Sequence, residues 1–371
     1  MRILHTADWH LGLELHKLNL WEDQRLMLRQ IQHIVNEQKI DVIVISGDIY
    51  DTALATKEAI QLFDEMMTIL CKDMQKQVIV IAGNHDGAQR LASMNQLLSF
   101  MGLHIYGKLE QVIEPLVIDD IAFYPMPFFH LETFRQVYDC QIKSYEEAFA
   151  IVNKQAKRDI GYHRKILLAH TFCANAAVCE SDRFANIGGS DLVSASVMNG
   201  FDYVALGHLH RKQRITERIC YSGSPLAYSF SEAVYDKYVL IYDTVCDQVE
   251  EIMLIPEHPL LTLTGTFEEL QSAMQQGIQE DAYIKIELTN QSVTFEMMQY
   301  FKEHIPSLLQ LTGKSAVMDQ SISIQAEEMD QMSDLDIVKQ FFKDYYQLEL
   351  DEEQIALFQQ ASQIKEELYA A

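Results

Sequence analysis

The run VIVIAGNHDG (78–87) passes in one step from five apolar residues to Asn84, His85 and Asp86, held between Gly83 and Gly87. The same change of character recurs along the chain. Asp8 and His10 follow RILHTA, Asp48 and Asp51 follow DVIVISG, His170 closes KILLAH, and His208 and His210 follow YVALG. Short, β-branched apolar runs read as strands buried on both faces. The segments EDQRLMLRQIQHIVNEQ (22–38) and TKEAIQLFDEMMTILCKD (56–73) between the early runs carry helical periodicity. Strands alternating with helices predict an α/β domain. In such a fold the C-terminal strand ends form one rim, where ligands bind. Five polar clusters at five strand ends are therefore predicted to meet.

Carboxylate, amide and imidazole suit divalent ions of intermediate hardness such as Mn²⁺, Fe²⁺ or Zn²⁺. No cysteine belongs to the set, which argues against a structural zinc site. Each cluster alone has an ordinary explanation. A Gly-Asp step makes a turn, Gly-Asn does the same, and a histidine at a strand end can be a satisfied core residue. The Gly-His-x-His spacing sends both imidazoles to one face. A core role for His170 or His208 would not explain why every polar residue starts where a strand stops. The remaining histidines (His5, His33, His104, His130, His163, His258, His304) lack a flanking motif and read as surface or core residues. Trp9 suits either base stacking or packing.

The chain has 371 residues, enough for two or three domains. Its net charge of −25 is uneven, with 21 acidic and only 6 basic residues in 257–371. A general positive field for nucleic acid is thereby excluded, though metal ions can supply positive charge locally. Arg211, Lys212 and Arg214 form the nearest basic cluster to the rim, fit either for backbone phosphates or for a solvated turn. The six cysteines contain no C-x-x-C pair and read as reduced thiols. The N-terminus reads as a strand and not as a signal peptide, and no apolar run approaches a membrane span.

Further strands are expected at LHIYG, IAFYPM, RICYSG and KYVLIYD, the later ones forming a second, partly antiparallel sheet. Pro256 and Pro259 mark a boundary. Beyond it come the strand LLTLTGT, a helix FEELQSAMQQG with Thr266 and Glu269 as capping box, the strand AYIKIEL, a helix TFEMMQYFKEHI and the strand SLLQLTG. The expected division is a domain over 1–256, a small α/β domain over 257–313, a linker over 314–332 and a helical tail over 333–371. The tail carries an apolar stripe at Ile337, Val338, Phe341, Phe342 and Tyr345. TGKS (312–315) imitates the end of a P-loop, but position 308 is Leu308 and nucleotide binding there is rejected.

The order Asp-x-His, Gly-Asp-x-x-Asp, Gly-Asn-His-Asp, His, Gly-His-x-His resembles the calcineurin-like metallophosphoesterase superfamily. HTADWHLG, GDIYDT, GHLHRKQ and YSGSPLAYSFSE further resemble its SbcCD-type nuclease subunits. The resemblance implies an α/β fold, a four-layer αββα sandwich with a small C-terminal α/β capping domain and a helical tail. It implies two divalent ions, Mn²⁺ before Mg²⁺, Fe²⁺ or Zn²⁺, bridged by Asp48. Asp8, His10 and His210 would complete one site; Asn84, His170 and His208 would complete the other. The ions would grip a DNA phosphodiester and activate water for in-line attack. His85 would contact the scissile phosphate and assist the leaving oxygen. Asp51 would orient His85. Asp86 would do the same or, better, cap the following helix.

The resemblance also implies duplex exonuclease and single-strand or hairpin endonuclease activity in DNA end processing, recombination and repair. The partners would be DNA and an SbcC-like coiled-coil ATPase subunit gripped by the tail. A homodimer within a heterotetramer would form through AQRLASMNQLLSFMG (88–102), read as a Met-rich helix. The location would be cytoplasmic, at the nucleoid, with no membrane. Alternatives are a phosphomonoesterase or small-molecule phosphodiesterase on the same scaffold, and a non-catalytic scaffold. The Arg-Gly of the phosphoprotein-phosphatase signature is absent, since Thr52 and Ala53 follow Asp51. All seven ligand positions are retained, which disfavours the scaffold.

Overall fold

A computed structural model describes residues 1–109, 114–158, 161–177, 179, 192–277, 281–289 and 291–313, with isolated positions 335, 339, 354 and 355. The linker and tail assigned to 314–371, apart from those positions, lie outside the described residues.

The N-terminal half runs β1 (Arg2–Thr6), α1 (Trp21–Glu37), β2 (Val42–Ser46), α2 (Lys57–Met67), β3 (Gln77–Ile81) and β4 (Leu103–Tyr106). There follow β5 (Leu116–Ile118), β6 (Ile121–Met126), α3 (Leu131–Tyr138), α4 (Tyr145–Arg158), β7 (Arg164–His170), β8 (Tyr203–Gly207), β9 (Gln213–Arg214) and β10 (Ile219–Tyr221). Next come β11 (Lys237–Asp243), β12 (Gln248–Leu254), β13 (Leu260–Gly265), α5 (Phe267–Gln276), β14 (Tyr283–Leu288), α6 (Phe295–His304) and β15 (Leu308–Gly313).

Two six-stranded sheets carry the fold, in the orders β12-β11-β1-β2-β3-β4 and β9-β10-β8-β7-β6-β5. In each, four neighbouring strands are parallel and antiparallel strands complete the edges. Parallel strands need both faces covered, and the burial obliges: β2 and β8 are buried at every position. Ile3, Val44, Ile79 and Ile81 of the first sheet pack against Phe123, Ile166, Leu168 and Tyr203 of the second. The outer face of the first sheet meets Met27, Leu28, Ile31 and Val35 of α1 and Leu62, Phe63 and Met66 of α2. The outer face of the second meets Phe134 of α3 and Ala148, Phe149 and Val152 of α4. Each of the larger apolar side chains contributes roughly 1.5–3 kcal/mol on full burial. The result is the expected four-layer αββα sandwich.

Two expectations are corrected. The second sheet is mostly parallel inside, and β11 and β12 return to the first sheet, where β11 pairs antiparallel with β1. The Met-rich stretch 88–102 is not one helix. It breaks into Ala88–Leu91, Asn95–Leu98 and a 3₁₀ turn at Ser99–Met101, with Met94 in the left-handed region at φ 63°.

The chain divides into two compact units. The first takes Met1–Leu263, Gly277–Ile286 and Lys302–Gln310, and contains both large sheets. The second takes Thr264–Gln276, Glu287–Phe301 and the chain from Leu311. Within it the Thr266 amide donates to Glu269 Oε2 at 2.9 Å and the Glu269 amide to Thr266 Oγ1 at 3.2 Å, the reciprocal capping box read from the sequence. Phe267 stacks edge-on against Tyr300 and Phe301. β13, β14 and β15 form a three-stranded sheet with β14 central.

Candidate metal centre

All five polar clusters meet at the C-terminal ends of β1, β2, β3, β7 and β8. Asp48 lies at the centre. Its Oδ1 accepts the His85 amide at 2.9 Å, and its Oδ2 lies 3.4 Å from His170 Nε2 and 3.7 Å from His10 Nε2. Two donor groups share it: His10, Asp48 and His85, and Asp8, Asp48 and His170, each with ligand atoms within 4.8 Å of one another. Asn84 Oδ1 lies 2.9 Å from His170 Nε2 and 3.1 Å from His208 Nδ1. His210 Nε2 lies 3.1 Å from His10 Nε2. Every residue of the expected ligand set thus reaches this one cluster.

The backbone is bent to achieve it. Asp8, His10, Asp48 and His208 have φ of 54°, 42°, 50° and 106°, left-handed values that cost energy for residues with a Cβ and cluster at functional sites. Close approach of the loops requires glycine: a Cβ on Gly83 would stand 2.1 Å from Asp48 Oδ1, and one on Gly47 2.3 Å from His170 Nδ1.

The donor set fits divalent cations. Asp8 is fully buried and its Oδ2 has no hydrogen-bond partner, as is true of His10 Nδ1. His170 Nδ1 donates to the Ser46 carbonyl at 2.9 Å, so the neutral ring turns the lone pair of Nε2 toward Asp48. Charge is divided unevenly across the cluster. Burial lifts the Asp8 carboxyl to about 7, with Asp48 adding to the rise. Burial opposes ionisation of Asp48 too, yet His170, His10 and His85 outweigh it and hold that carboxyl well below the usual range. His170 is raised to about 9, the attraction of Asp48 and Asp8 overcoming burial. Burial and the neighbouring His170 lower His208 to about 3. Bound dications would rebalance such a cluster.

Several expected roles change in detail. His85 Nδ1 donates to the Asp51 backbone carbonyl at 2.7 Å, while Asp51 Oδ1 faces His10 Nδ1 at 3.7 Å. The carboxylate of Asp51 is thus turned to His10 and the backbone of Asp51 to His85. Asp86 caps no helix; the residue before Ala88–Leu91 is Gly87, without a side-chain cap. The Asp86 carboxylate instead accepts the amides of Gly83 at 2.9 Å, Tyr50 at 3.0 Å and Ile49 at 3.2 Å, tying the β3 loop to the β2 loop. Trp9 is fully buried and donates Nε1–H to Thr6 Oγ1, which decides for packing. Lys212 and Arg214 are both paired with Glu251, and Arg211 lies over the Tyr235 ring at 4.3 Å.

Two residues escaped the sequence reading. Gln24 on α1 is buried and holds the first loop, donating to the His10 carbonyl at 2.8 Å and accepting the Gly12 amide at 3.1 Å. Glu232 is buried beside His210. Nothing local marks either; Gln24 lies in an amphipathic helix and Glu232 in a Ser-rich turn.

The model of the calcineurin-like phosphoesterases matches residues 1–212. The chain belongs to this family. It is accordingly a phosphoesterase, an enzyme of a family whose chemistry uses divalent metal ions. A second model, described as the type 5 capsule protein repressor C-terminal domain, matches residues 256–349. Two relatives cover nearly the whole chain, both of them SbcD, the smaller-lettered partner in the name of the nuclease SbcCD. The SbcD of Staphylococcus epidermidis is 32% identical over 349 residues, 92% of this chain and 93% of that one. That of Staphylococcus saprophyticus is 31% identical over 347 residues, 92% of each. Among solved structures, TT1561 of Thermus thermophilus aligns with 68% of this phosphoesterase and 98% of its own chain, at 12% identity and a TM-score of 0.40. Among the described residues, no helix is long and apolar enough to cross a membrane.

Proposed function

We propose that this phosphoesterase is the nuclease subunit of an SbcCD-like complex and hydrolyses DNA phosphodiesters in end processing, recombination and repair. The observation that carries the reading is Asp48, a buried carboxylate shared by two donor groups at a strand-end rim. One anionic ligand common to two sites is what a two-metal phosphoesterase needs. The names of the two full-length relatives supply the nuclease activity and the complex.

Asp8, His10, Asp48 and His210 would hold one ion and Asp48, Asn84, His170 and His208 the other, with Mn²⁺ preferred for a donor set mixing imidazole and carboxylate. Bound there, the ions supply Lewis acidity to the phosphate and to the attacking water. His85 stands beside both groups, its Nδ1 proton committed to the Asp51 carbonyl. Its Nε2 is then the atom that meets the scissile phosphate or the leaving oxygen. Residues 257–313 would cap the site on the DNA side, and the stripe in 333–371 would dock on the coiled coil of the ATPase subunit. Met94, Leu97, Phe100 and Met101, 74%, 66%, 86% and 55% exposed, supply an apolar surface for a homodimer.

The test is to incubate the purified chain with labelled duplex DNA, a DNA hairpin and a phosphomonoester in Mn²⁺, Mg²⁺ or chelator. Mn²⁺-dependent cutting of DNA, lost in Asp48→Ala and in His85→Leu, supports the reading. Monoester turnover without DNA cutting would overturn it in favour of a phosphomonoesterase. Deleting 333–371 should abolish capture of the ATPase subunit and spare cleavage. Phe100→Glu should convert a dimer to a monomer in light scattering.

A further inference from the structure

Glu232 ends a 3₁₀ turn (Phe230–Glu232) and is completely buried, with Lys237 at the start of β11 almost so. Its Oε1 lies 3.2 Å from His210 Nδ1 and also accepts the Tyr228 amide at 3.3 Å. Its Oε2 pairs with Lys237 Nζ and accepts the Ser224 hydroxyl at 3.3 Å. Lys237 Nζ in turn donates to the His210 carbonyl at 3.1 Å and to Ser224 Oγ at 2.9 Å. His210 is therefore held at ring and backbone by one buried ion pair. An unpartnered charge there would be strongly destabilising, so the two must act together. Burial opposes the charge on Glu232, but Lys237 and His210 outweigh it and keep the carboxyl ionised.

An ionised carboxylate only accepts, so the His210 proton sits on Nδ1. In the neutral ring Nε2 then presents its lone pair, 3.1 Å from His10 Nε2. On the other side, Asp51 Oδ1 faces His10 Nδ1 at 3.7 Å and favours the same tautomer there. Two lone pairs directed at each other repel, and a cation relieves that repulsion.

We propose that Glu232, braced by Lys237, is a positioning residue that fixes the Nδ1–H tautomer and ring orientation of His210 and so sets the affinity of one of the two metal sites. The proposal rests on the assignment of His210 as a ligand made above. Carboxylates placed this way behind a metal-bound imidazole typically govern 10- to 100-fold in metal affinity.

The full chain, stripped with chelator, is titrated with Mn²⁺ by calorimetry, and the bound metal is counted after gel filtration. Glu232→Ala should weaken one of two Mn²⁺ sites by about 10- to 100-fold and leave the other near its original affinity. Nitrogen NMR of the imidazoles should show the His210 ring losing its single Nδ1–H form. Because Glu232→Ala strands the Lys237 charge, Glu232→Leu/Lys237→Met is measured beside it; removing both charges restores a merely structural loss but not the metal site. Wild-type Mn²⁺ affinity at both sites in the folded double variant would overturn the proposal. His210→Ala separates the two readings. If it leaves both sites intact, the ligand assignment is wrong; if it empties one while the Glu232 variants do not, only the role of Glu232 fails.

Discussion

Gly83 and Asp48 illustrate how little room the centre leaves at the scale of single residues. A methyl group on Gly83 would meet Asp48 Oδ1 at 2.1 Å and the Asp48 amide at 2.4 Å, a backbone collision that no rotamer relieves. Gly83→Ala is expected to displace the shared carboxylate and reduce bound Mn²⁺ from two ions per chain to one or none, counted by metal analysis. The fold itself should survive, since the strands on either side are packed independently of that loop. His85 is similarly constrained. Its ring is aimed by the carbonyl of Asp51 and not by the carboxylate. Asp51→Asn is therefore expected to leave His85 in place and to act on His10, reducing Mn²⁺ affinity more than the turnover of metal-saturated enzyme. Calorimetry and saturation kinetics separate the two effects.

Loops and helices show the same division between local and distant causes. α2 begins after Thr56, whose hydroxyl accepts the Ala59 amide at 3.2 Å. Thr56→Ala should cost about 1 kcal/mol in urea unfolding with no change in metal binding. Asp86 belongs to a different class. Its carboxylate receives three amides from two loops, so truncation leaves buried donors unsatisfied. Asp86→Ala is expected to cost roughly 3 kcal/mol and to weaken Mn²⁺ binding as the Asn84–His85 and Asp48 loops separate. Both effects would appear in one denaturation series with and without Mn²⁺.

For the molecule as a whole, the decisive feature is the contact between two sheets, and His5 reports on it. His5 on β1 of one sheet accepts the Tyr203 hydroxyl at 2.8 Å and donates to the Leu206 carbonyl at 3.1 Å, both on β8 of the other. Burial drives its pKa down to about 3, from 6.5. Between those values the unfolded chain binds a proton that the folded chain does not, so stability rises with pH. The contribution is complete above pH 6.5 and is lost as pH falls toward 3. Urea unfolding of the metal-free chain should show a component on the order of 1 kcal/mol per pH unit, between about pH 6 and pH 4, that is missing in His5→Gln. An equal slope in both proteins would remove His5 from the acid response.

The strands and their polar ends were legible in the chain because period and composition are local. A run such as DVIVISG can only be a buried strand, and a carboxylate or imidazole just past it can only stand on the rim. The seven expected donors and the capping box at Thr266 and Glu269 follow from that alone. Only the tertiary structure could decide which strand lies beside which, since β11 joins the distant β1 by fit of its buried face, not by any local mark. The same holds for Gln24, Asp86 and Glu232. Each is polar and unremarkable in its own segment, and acquires its role from a backbone amide, a carbonyl or a ring nitrogen that the packing of other segments brings within hydrogen-bond reach.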